Sequence, residues 1–346
     1  MKFLQNPSIY HPLSTEDIPP SFLESEHQPT EDAPLPDLLF LGHYRRAAET
    51  AVSQLLAANQ FNAASILRLL YTRLACLVLI SRVDIAAQEG GLLTEFLGRN
   101  APGAKDLIPL IPWELRLLLV RLQSLTAADG GRRGIMALYT LAAEVRSHIR
   151  EARSSGNEAE LMTWTERLRD LGLRVADGLV ETGELETASR HLDTLTDADN
   201  DEVAYRKALL RLRVGHVAGA KAQIERLEDK RRRKDLETLL KLADGEDTVS
   251  SWQELIQEGD GSLLHSNNLA VSLLYTGHIA DARTTLEAIL ERKPAFTGAL
   301  FNLSTIYELC TERSVELKAE LVTKLASVEP KMDCGGWEKA TFEFKL

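Results

Sequence analysis

The chain is poor in the residues on which catalysis, oxidative cross-linking and membrane insertion depend. Three cysteines in 346 residues, Cys76, Cys310 and Cys334, form an odd and sparse set; this excludes a disulfide-built scaffold and suits a reduced, intracellular protein. The eight histidines are scattered, with no HExxH pair and no Cys/His spacing fit for zinc. No GxSxG elbow, Walker loop or dinucleotide fingerprint occurs. Gly130, Gly131 and Gly134 resemble a phosphate loop only superficially, because no strand precedes them and the Lys-Ser/Thr pair is missing. Long apolar runs are absent too: LACLVLI, from Leu74, is far short of a membrane span and reads as part of a buried helix. The opening MKFLQNPSIY has one Lys and no apolar stretch, so no secretory signal is expected. Asn302-Leu303-Ser304 matches a glycosylation sequon inside a helical pattern and is discounted, and the final FKL lacks the small residue of a peroxisomal tripeptide. These absences predict a protein that is not an enzyme, with no catalytic residues, no metal, no cofactor and no small-molecule substrate.

Aromatic residues are also scarce, at 6 %, and a composition weighted to Leu, Ala, Glu and Arg predicts mostly helix. Charge is uneven. The formal net charge is -11, and up to Leu38 seven acids (Glu16, Asp17, Glu24, Glu26, Glu31, Asp32, Asp37) stand against Lys2 alone. The remaining body is only mildly acidic, so no nucleic-acid partner is expected. Seven of the twelve prolines also fall within residues 1–37. Such a segment is short of apolar surface to offset its ordering entropy. Residues 1–37 are therefore expected to be a disordered acidic arm, the alternative being an arm that docks on its own helices or in a partner groove.

What the chain does have is repetition. From Ser262 to Pro294, Leu269, Ala270, Leu273 and Leu274 stripe one short helix, Thr276-Gly277 turns it, and Ala282, Leu286, Ile289 and Leu290 stripe a second. Ala270 and Ala282 permit close backbones, Gly277 can take the left-handed conformation, and Pro294 stops the chain. This is a tetratricopeptide-like unit. The turn glycines Gly183, Gly215, Gly245 and Gly277 step by 32, 30 and 32 residues, a stride that unrelated helices have no reason to keep. Seven pairs can be laid out. The first turns at Asn59, which stands where Gly277 stands, and its second helix runs to about Arg82. Residues 83 to 104 read as irregular, with one or two helical turns from Leu92 to Leu97 and a break at Ala101-Pro102-Gly103. The second pair starts near Pro112 and resumes at Ile135 after the DGGRRG loop; the third to sixth turn at the four glycines; the seventh runs from Leu300 to Pro330. A single pair cannot bury its apolar faces, so the prediction is an all-α fold, a right-handed superhelix (α-solenoid) of about seven hairpins over residues 38–332. In residues 333–346 Phe342, Phe344 and Leu346 alternate with Glu343 and Lys345, which predicts an extended tail.

With no reagent to hold, binding is the remaining chemistry. In this repeat class first helices line a concave groove, where Asn268 and Asn302 occupy equivalent positions and could exchange hydrogen bonds with an extended peptide. Val271, Leu274, Tyr205, Leu209 and Leu212 would make the groove apolar, and no Lys/Arg set stands ready to clamp a terminal carboxylate. Phe301, Tyr307, Phe342 and Phe344 are candidates for a C-terminal interaction end. The run Lys230 to Lys234 has acids three to four residues away and reads as a solvated corner, the alternatives being a nuclear signal or an anionic-lipid contact.

Two stretches go beyond what such repeats demand. SNNLAVSLLYTGHIADA, followed by ALFNLSTIYELCTERSVELKAELVTKL, resembles the subunit 12 family of the transport protein particle (TRAPP) complex, a family of tetratricopeptide proteins. The residues carrying the resemblance are Asn268, Leu273, Leu274, Tyr275 and Gly277, then Leu300, Phe301, Asn302, Leu303, Thr305, Tyr307, Glu308, Leu309, Arg313 and Ser314; LIPLIPWEL, from Leu107, is a weaker second match. The resemblance implies a non-catalytic subunit of an assembly that activates Rab-family GTPases and tethers vesicles between endoplasmic reticulum, Golgi and autophagic membranes. Its partners would be other large subunits of that complex, its membrane association peripheral and through them. The short polar arm departs from longer family members, and no catalytic residue is carried over. A co-chaperone or signalling adaptor of the same fold is the rival expectation; an all-helical hydrolase would need a cleft holding two acids of separated pKa.

Overall fold

Glycine-punctuated helix stops organise the chain. The protein is represented by a computed structural model that describes residues 1–98, 107–126, 131–195, 200–259, 262–293, 296–332 and 335–346. The Ala101-Pro102-Gly103 break, Gly130, Pro294 and Cys334 lie outside the described residues. The described residues contain helices, turns and connecting segments and no strand, so the fold is all-α and built as an α-solenoid-type array of hairpins.

The helices are α1 (Pro20–Leu23), α2 (Leu35–Phe40), α3 (Tyr44–Ala57), α4 (Ala63–Leu79), α5 (Val83–Gly98), α6 (Trp113–Thr126), α7 (Arg132–Ser155), α8 (Glu158–Glu181) and α9 (Leu185–Asp193). They continue as α10 (Asn200–Arg213), α11 (Val217–Ile224), α12 (Lys230–Ala243), α13 (Val249–Glu258), α14 (Leu263–Tyr275), α15 (Ile279–Arg292), α16 (Thr297–Cys310) and α17 (Ser314–Ala326). Two compact units result, one made of residues 1–122 with 260–346, the other of residues 123–259.

The four spaced glycines do what their stride predicts. Gly183, Gly215, Gly245 and Gly277 all have φ between 77° and 84°. After each, the next amide reaches back to a carbonyl five residues earlier, as in His278 N–H to Leu273 O at 2.8 Å and His216 N–H to Arg211 O at 2.8 Å. This closes the orphan carbonyls of the first helix and reverses the chain. Gly42 (φ 77°) repeats the motif after α2, and Ser81 (φ 62°) repeats it after α4 with a side chain in place.

Four expectations need correction. Asn59 is not left-handed; its side chain instead accepts the Phe61 amide at 3.0 Å, and the neighbouring Asn62 caps α4 by accepting the Ser65 amide at 3.1 Å. Asn has this second way of making a turn, through its own carboxamide. Residues 83–98 are not irregular but the continuous helix α5, running through Gly90-Gly91. Gly90 is there for packing: a Cβ on it would stand 3.0 Å from Leu119 and 3.3 Å from Leu74.

The third correction concerns residues 1–37, which are ordered as part of the first unit. Leu4 is fully buried in a core with Leu55, Leu70, Leu74, Leu77, Leu115 and Leu119, and Phe22 is buried as well. Few apolar anchors suffice because prolines already limit what the free segment can lose, and because α3 and α4 offer polar docking points. Gln5 donates to the carbonyls of Leu55 and Ala58 at 3.0 and 2.7 Å, serving the C-terminal end of α3, and the Met1 ammonium reaches Gln60 O at 3.2 Å. Last, residues 335–346 are not an extended alternation. Thr341–Phe344 forms a 3-10 turn in which the Glu343 carboxylate accepts the Ala340 amide at 3.2 Å. A three-residue period separates positions i and i+2, so Phe344 is fully buried while Phe342 stays 57 % exposed.

Candidate interaction surfaces

In the first unit both chain ends meet around Trp337. Its indole N–H donates to Val328 O at 3.0 Å and its backbone amide to Gly42 O at 3.0 Å. Phe22, His43 and His27 present edges to its ring at centroid distances of 5.3, 5.2 and 6.5 Å. Arg45 of α3 forms a two-pronged contact with Glu338 at 2.8 and 2.7 Å, and Gln28 adds a third hydrogen bond to the same carboxylate at 2.7 Å. Such a bidentate pair, largely shielded from water, fixes geometry as well as charge. Gly42 matters doubly, since a Cβ on it would lie 2.0 Å from Gly335 O. Thr341 N–H to Asp17 O at 2.8 Å and Ser25 Oγ to Ala326 O at 2.7 Å complete the seam.

Burial also perturbs the histidine in this seam. Desolvation pushes the His43 imidazole below its ordinary range, Glu338 opposing and Arg45 adding to the shift.

A second polar clamp holds the arm from below. Arg73 and Glu89 are fully buried partners, at 2.9 and 2.8 Å, and between them they bind both backbone groups of His11: its N–H donates to Glu89 at 2.9 Å and its carbonyl accepts from Arg73 at 2.8 Å. Buried ions persist only where remaining hydrogen-bond capacity is met, and here residues 1–37 meet it. Nothing in the sequence marks this pair, since Arg73 and Glu89 stand 16 residues apart on different helices.

At the C-terminal end the four candidate aromatics divide. Phe301 is 49 % exposed with the Lys345 ammonium 5.0 Å from its ring centroid, and Phe342 is exposed as well. Tyr307 is buried; its hydroxyl donates to Glu287 at 3.2 Å, the Arg283 guanidinium lies 5.2 Å from its ring, and burial first, Glu287 second, push its phenol up to about 12. Phe344 belongs to the core. Lys318 and Lys345 both grip Glu308, at 2.6 Å each, and hold its carboxyl below the ordinary range, Lys318 first. Leu309 and Val315, on the same hairpin as Phe301, are also exposed.

The groove candidates fall in different units. In the first, Asn302 donates to Asn267 at 2.9 Å, a partner that the sequence left unmarked, while Asn268, Val271 and Leu274 are half-buried. In the second, Tyr205, Leu209 and Leu212 are half-buried against Ala204, Ala208, Ile224, Leu227 and Leu236, with Arg232 5.3 Å from the Tyr205 ring centroid. The basic run is the first turn of α12. Asp229 caps it by accepting the Arg231 amide at 2.8 Å, Arg232 pairs with Glu202 at 2.9 Å, Lys234 with Glu258, and Arg233 donates to Leu227 O. Those pairs offset the unfavourable meeting of cations with a helix N-terminus.

Among the described residues no group of His, Cys, Asp and Glu could hold a metal ion, and no helix is long and apolar enough to cross a membrane. No family model matches the chain. The chain is 36 % identical over 81 residues to mouse (Mus musculus) trafficking protein particle complex subunit 12, a stretch covering 22 % of this chain and 10 % of that protein. The human (Homo sapiens) counterpart is 35 % identical over 81 residues, 22 % of this chain and 11 % of the relative. The matched stretch thus spans about a tenth of the length of these curated relatives. Among solved structures, the TPR domain of P58(IPK) aligns over 85 % of this chain and 90 % of that chain, at 14 % identity and a TM-score of 0.23. The chain is a helical-hairpin protein with partial similarity to subunit 12 of trafficking protein particle complexes.

Proposed function

We propose that this chain is a non-catalytic scaffold or adaptor subunit of a TRAPP-type vesicle-tethering complex. It would bind other large subunits of the complex and serve endoplasmic reticulum to Golgi traffic and autophagy from the cytoplasmic side of those membranes. The observation that carries the proposal is the 36 % identity to subunit 12 over 81 residues in a protein built of helical hairpins. The exposure of the large apolar side chains Phe301, Leu309, Val315 and Phe342, all within the last 46 residues, supports it, because exposed aromatic and aliphatic groups are the material of protein contacts. In this reading GTPase exchange chemistry belongs to other subunits, and this chain meets membranes through them.

The test is affinity purification from native cells, with Phe301→Ala/Phe342→Ala as the comparison. Wild type is expected to recover tethering subunits, and the double variant to lose them while its unfolding curve stays within about 1 kcal/mol, both side chains being exposed. Recovery of chaperones with no tethering subunit would overturn the assignment. Undiminished recovery by the double variant would remove this surface from it.

A further inference from the structure

The second unit holds a cavity that the scaffold reading leaves unused. It is about 280 Å³, lies among α7, α8 and the end of α9, and has Ala142, Leu171 and Val175 as its floor. Tyr139 and Arg146 of α7, spaced seven residues apart on one face, stand on one side; Thr165 and Arg169 of α8, one helical turn apart, stand on the other. Leu195 closes an end, over Gly172, where a Cβ would come within 2.8 Å of it. His191 fixes that wall: its Nε2 lies 2.9 Å from Gly172 O, and since a carbonyl only accepts, this nitrogen carries the proton.

The charge on the lining is one-sided. Among the described residues that line it there is no Asp or Glu, in a chain with 51 of them. Arginines nearby have carboxylates: Arg174 of α8 pairs with Asp170 at 2.7 Å and Arg190 of α9 with Glu186 at 2.5 Å. Arg146 and Arg169 pair with none among the described residues, although acids are plentiful nearby in sequence. Two guanidiniums at the mouth of an apolar pocket match a ligand that is apolar at its centre and anionic around it. The size decides the class. About 280 Å³ lies just below the usual small-molecule range, and suits one large side chain rather than an acyl chain. The planar arginine fork, with no lysine among the described lining residues, fits carboxylates two bonds at a time.

We infer that this cavity is a docking pocket for an acidic peptide segment of a partner protein, which inserts one large apolar side chain between α7 and α8 and lays flanking carboxylates on Arg146 and Arg169. This stands whether or not the chain serves a tethering complex.

The full chain is titrated with a fluorescein-labelled, amidated hexapeptide, Glu-Glu-Leu-Phe-Glu-Glu, read by anisotropy. Parallel titrations use the Gln-flanked and Lys-flanked versions, an acidic version with Ala-Ala at the centre, and phosphatidylserine vesicles. The acidic Leu-Phe probe is expected to bind at least about tenfold tighter than the Gln-flanked and Ala-Ala probes, and to weaken as NaCl rises from about 50 to about 300 mM. Arg146→Glu/Arg169→Glu is expected to reverse the preference in favour of the Lys-flanked probe, which an unfolded variant would not do. Arg213→Glu, an exposed arginine outside the lining, should leave binding unchanged. The proposal is overturned by no binding of the acidic probe up to about 1 mM, by equal affinity for the Gln-flanked probe, by unaltered preference in the charge-reversed variant, or by vesicle binding in place of peptide binding.

Discussion

Gly42→Ala separates two costs that a left-handed glycine can carry. Gly277, at φ 84°, has nothing within 4 Å of where a Cβ would stand, so Gly277→Ala pays conformational strain alone, roughly 1–2 kcal/mol. Gly42 has a nearly equal φ of 77° and the same strain, but its Cβ would sit 2.0 Å from Gly335 O and 3.2 Å from Trp337 N. These are backbone atoms, so the tail must move. Losing the Trp337 amide bond to Gly42 O removes about 1 kcal/mol, and partial exposure of the Trp337 ring about 1.5–3 more. Gly42→Ala should therefore cost about 3.5–6 kcal/mol against about 1–2 for Gly277→Ala.

The chain divides into two units, so a single melting temperature does not isolate the seam. Segment-resolved hydrogen exchange does. Gly42→Ala should accelerate exchange in residues 335–346, including Thr341, whose amide bonds Asp17 O, together with residues 17–28, while α10 to α13 exchange as before. Gly277→Ala should leave those segments unchanged. Equal effects of the two variants on residues 335–346 would refute the claim that close approach, rather than φ, makes Gly42 necessary.

Three further outcomes follow from the same contacts. Arg73→Met leaves Glu89 buried and uncompensated and should cost about 3–5 kcal/mol, releasing residues 1–37 to protease attack near His11; an arm as resistant as wild type would show that the clamp does not hold it. The His43 pKa is lowered by burial, so its neutral form is the folded one. That contribution is whole above pH about 6.5 and is lost as pH falls below it toward the folded value; urea midpoints at pH 7.5 and 5.5 should draw together in His43→Asn, and an identical acid slope in that variant would reject the assignment. Ser81 holds a left-handed φ of 62°, so Ser81→Gly should raise stability by up to about 1 kcal/mol; destabilisation in urea would mean its side chain does something else there.

Local instructions are legible in this sequence and distant ones are not. Each of the four spaced glycines forms the reversal its spacing implies, because a helix stop is decided within six residues by φ and by which carbonyls are left over. Gly42 and Ser81 make the same stop and stand outside the stride, so periodicity could not find them. Residues 1–37 look unable to fold when judged by their own composition, which is the wrong comparison. Their order is supplied by Arg73 and Glu89, by the end of α3, and by Trp337, none adjacent in sequence. Of the candidate site, the apolar character of Phe301 and Phe342 was visible. The burial of Tyr307 and Phe344 was not, because exposure of an aromatic depends on what else covers it. Arg146 and Arg169 were unremarkable until their helices were placed side by side.

The same closure constrains how a partner can approach the C-terminal hairpin. One edge of α17 is already covered by α1 and the turn that follows it, where Ser25 and His27 bond the carbonyls of Ala326 and Ser327, and Lys318 is spent on Glu308 and Lys345 O. A partner either adds to the exposed group on α16 or displaces residues 1–37. The two routes have opposite signatures. Addition on α16 should slow exchange around Phe301 and leave the arm as it is. Displacement would uncover Leu4 and Phe22, both now buried, and would break the His11 bonds to Arg73 and Glu89. Because it must first undo a buried ion-pair contact and two apolar anchors, displacement costs several kcal/mol before any partner contact is made. Addition is therefore the expected route. Faster exchange in residues 1–37 on complex formation would show that the arm is a competitor for the partner's site rather than part of the wall beside it.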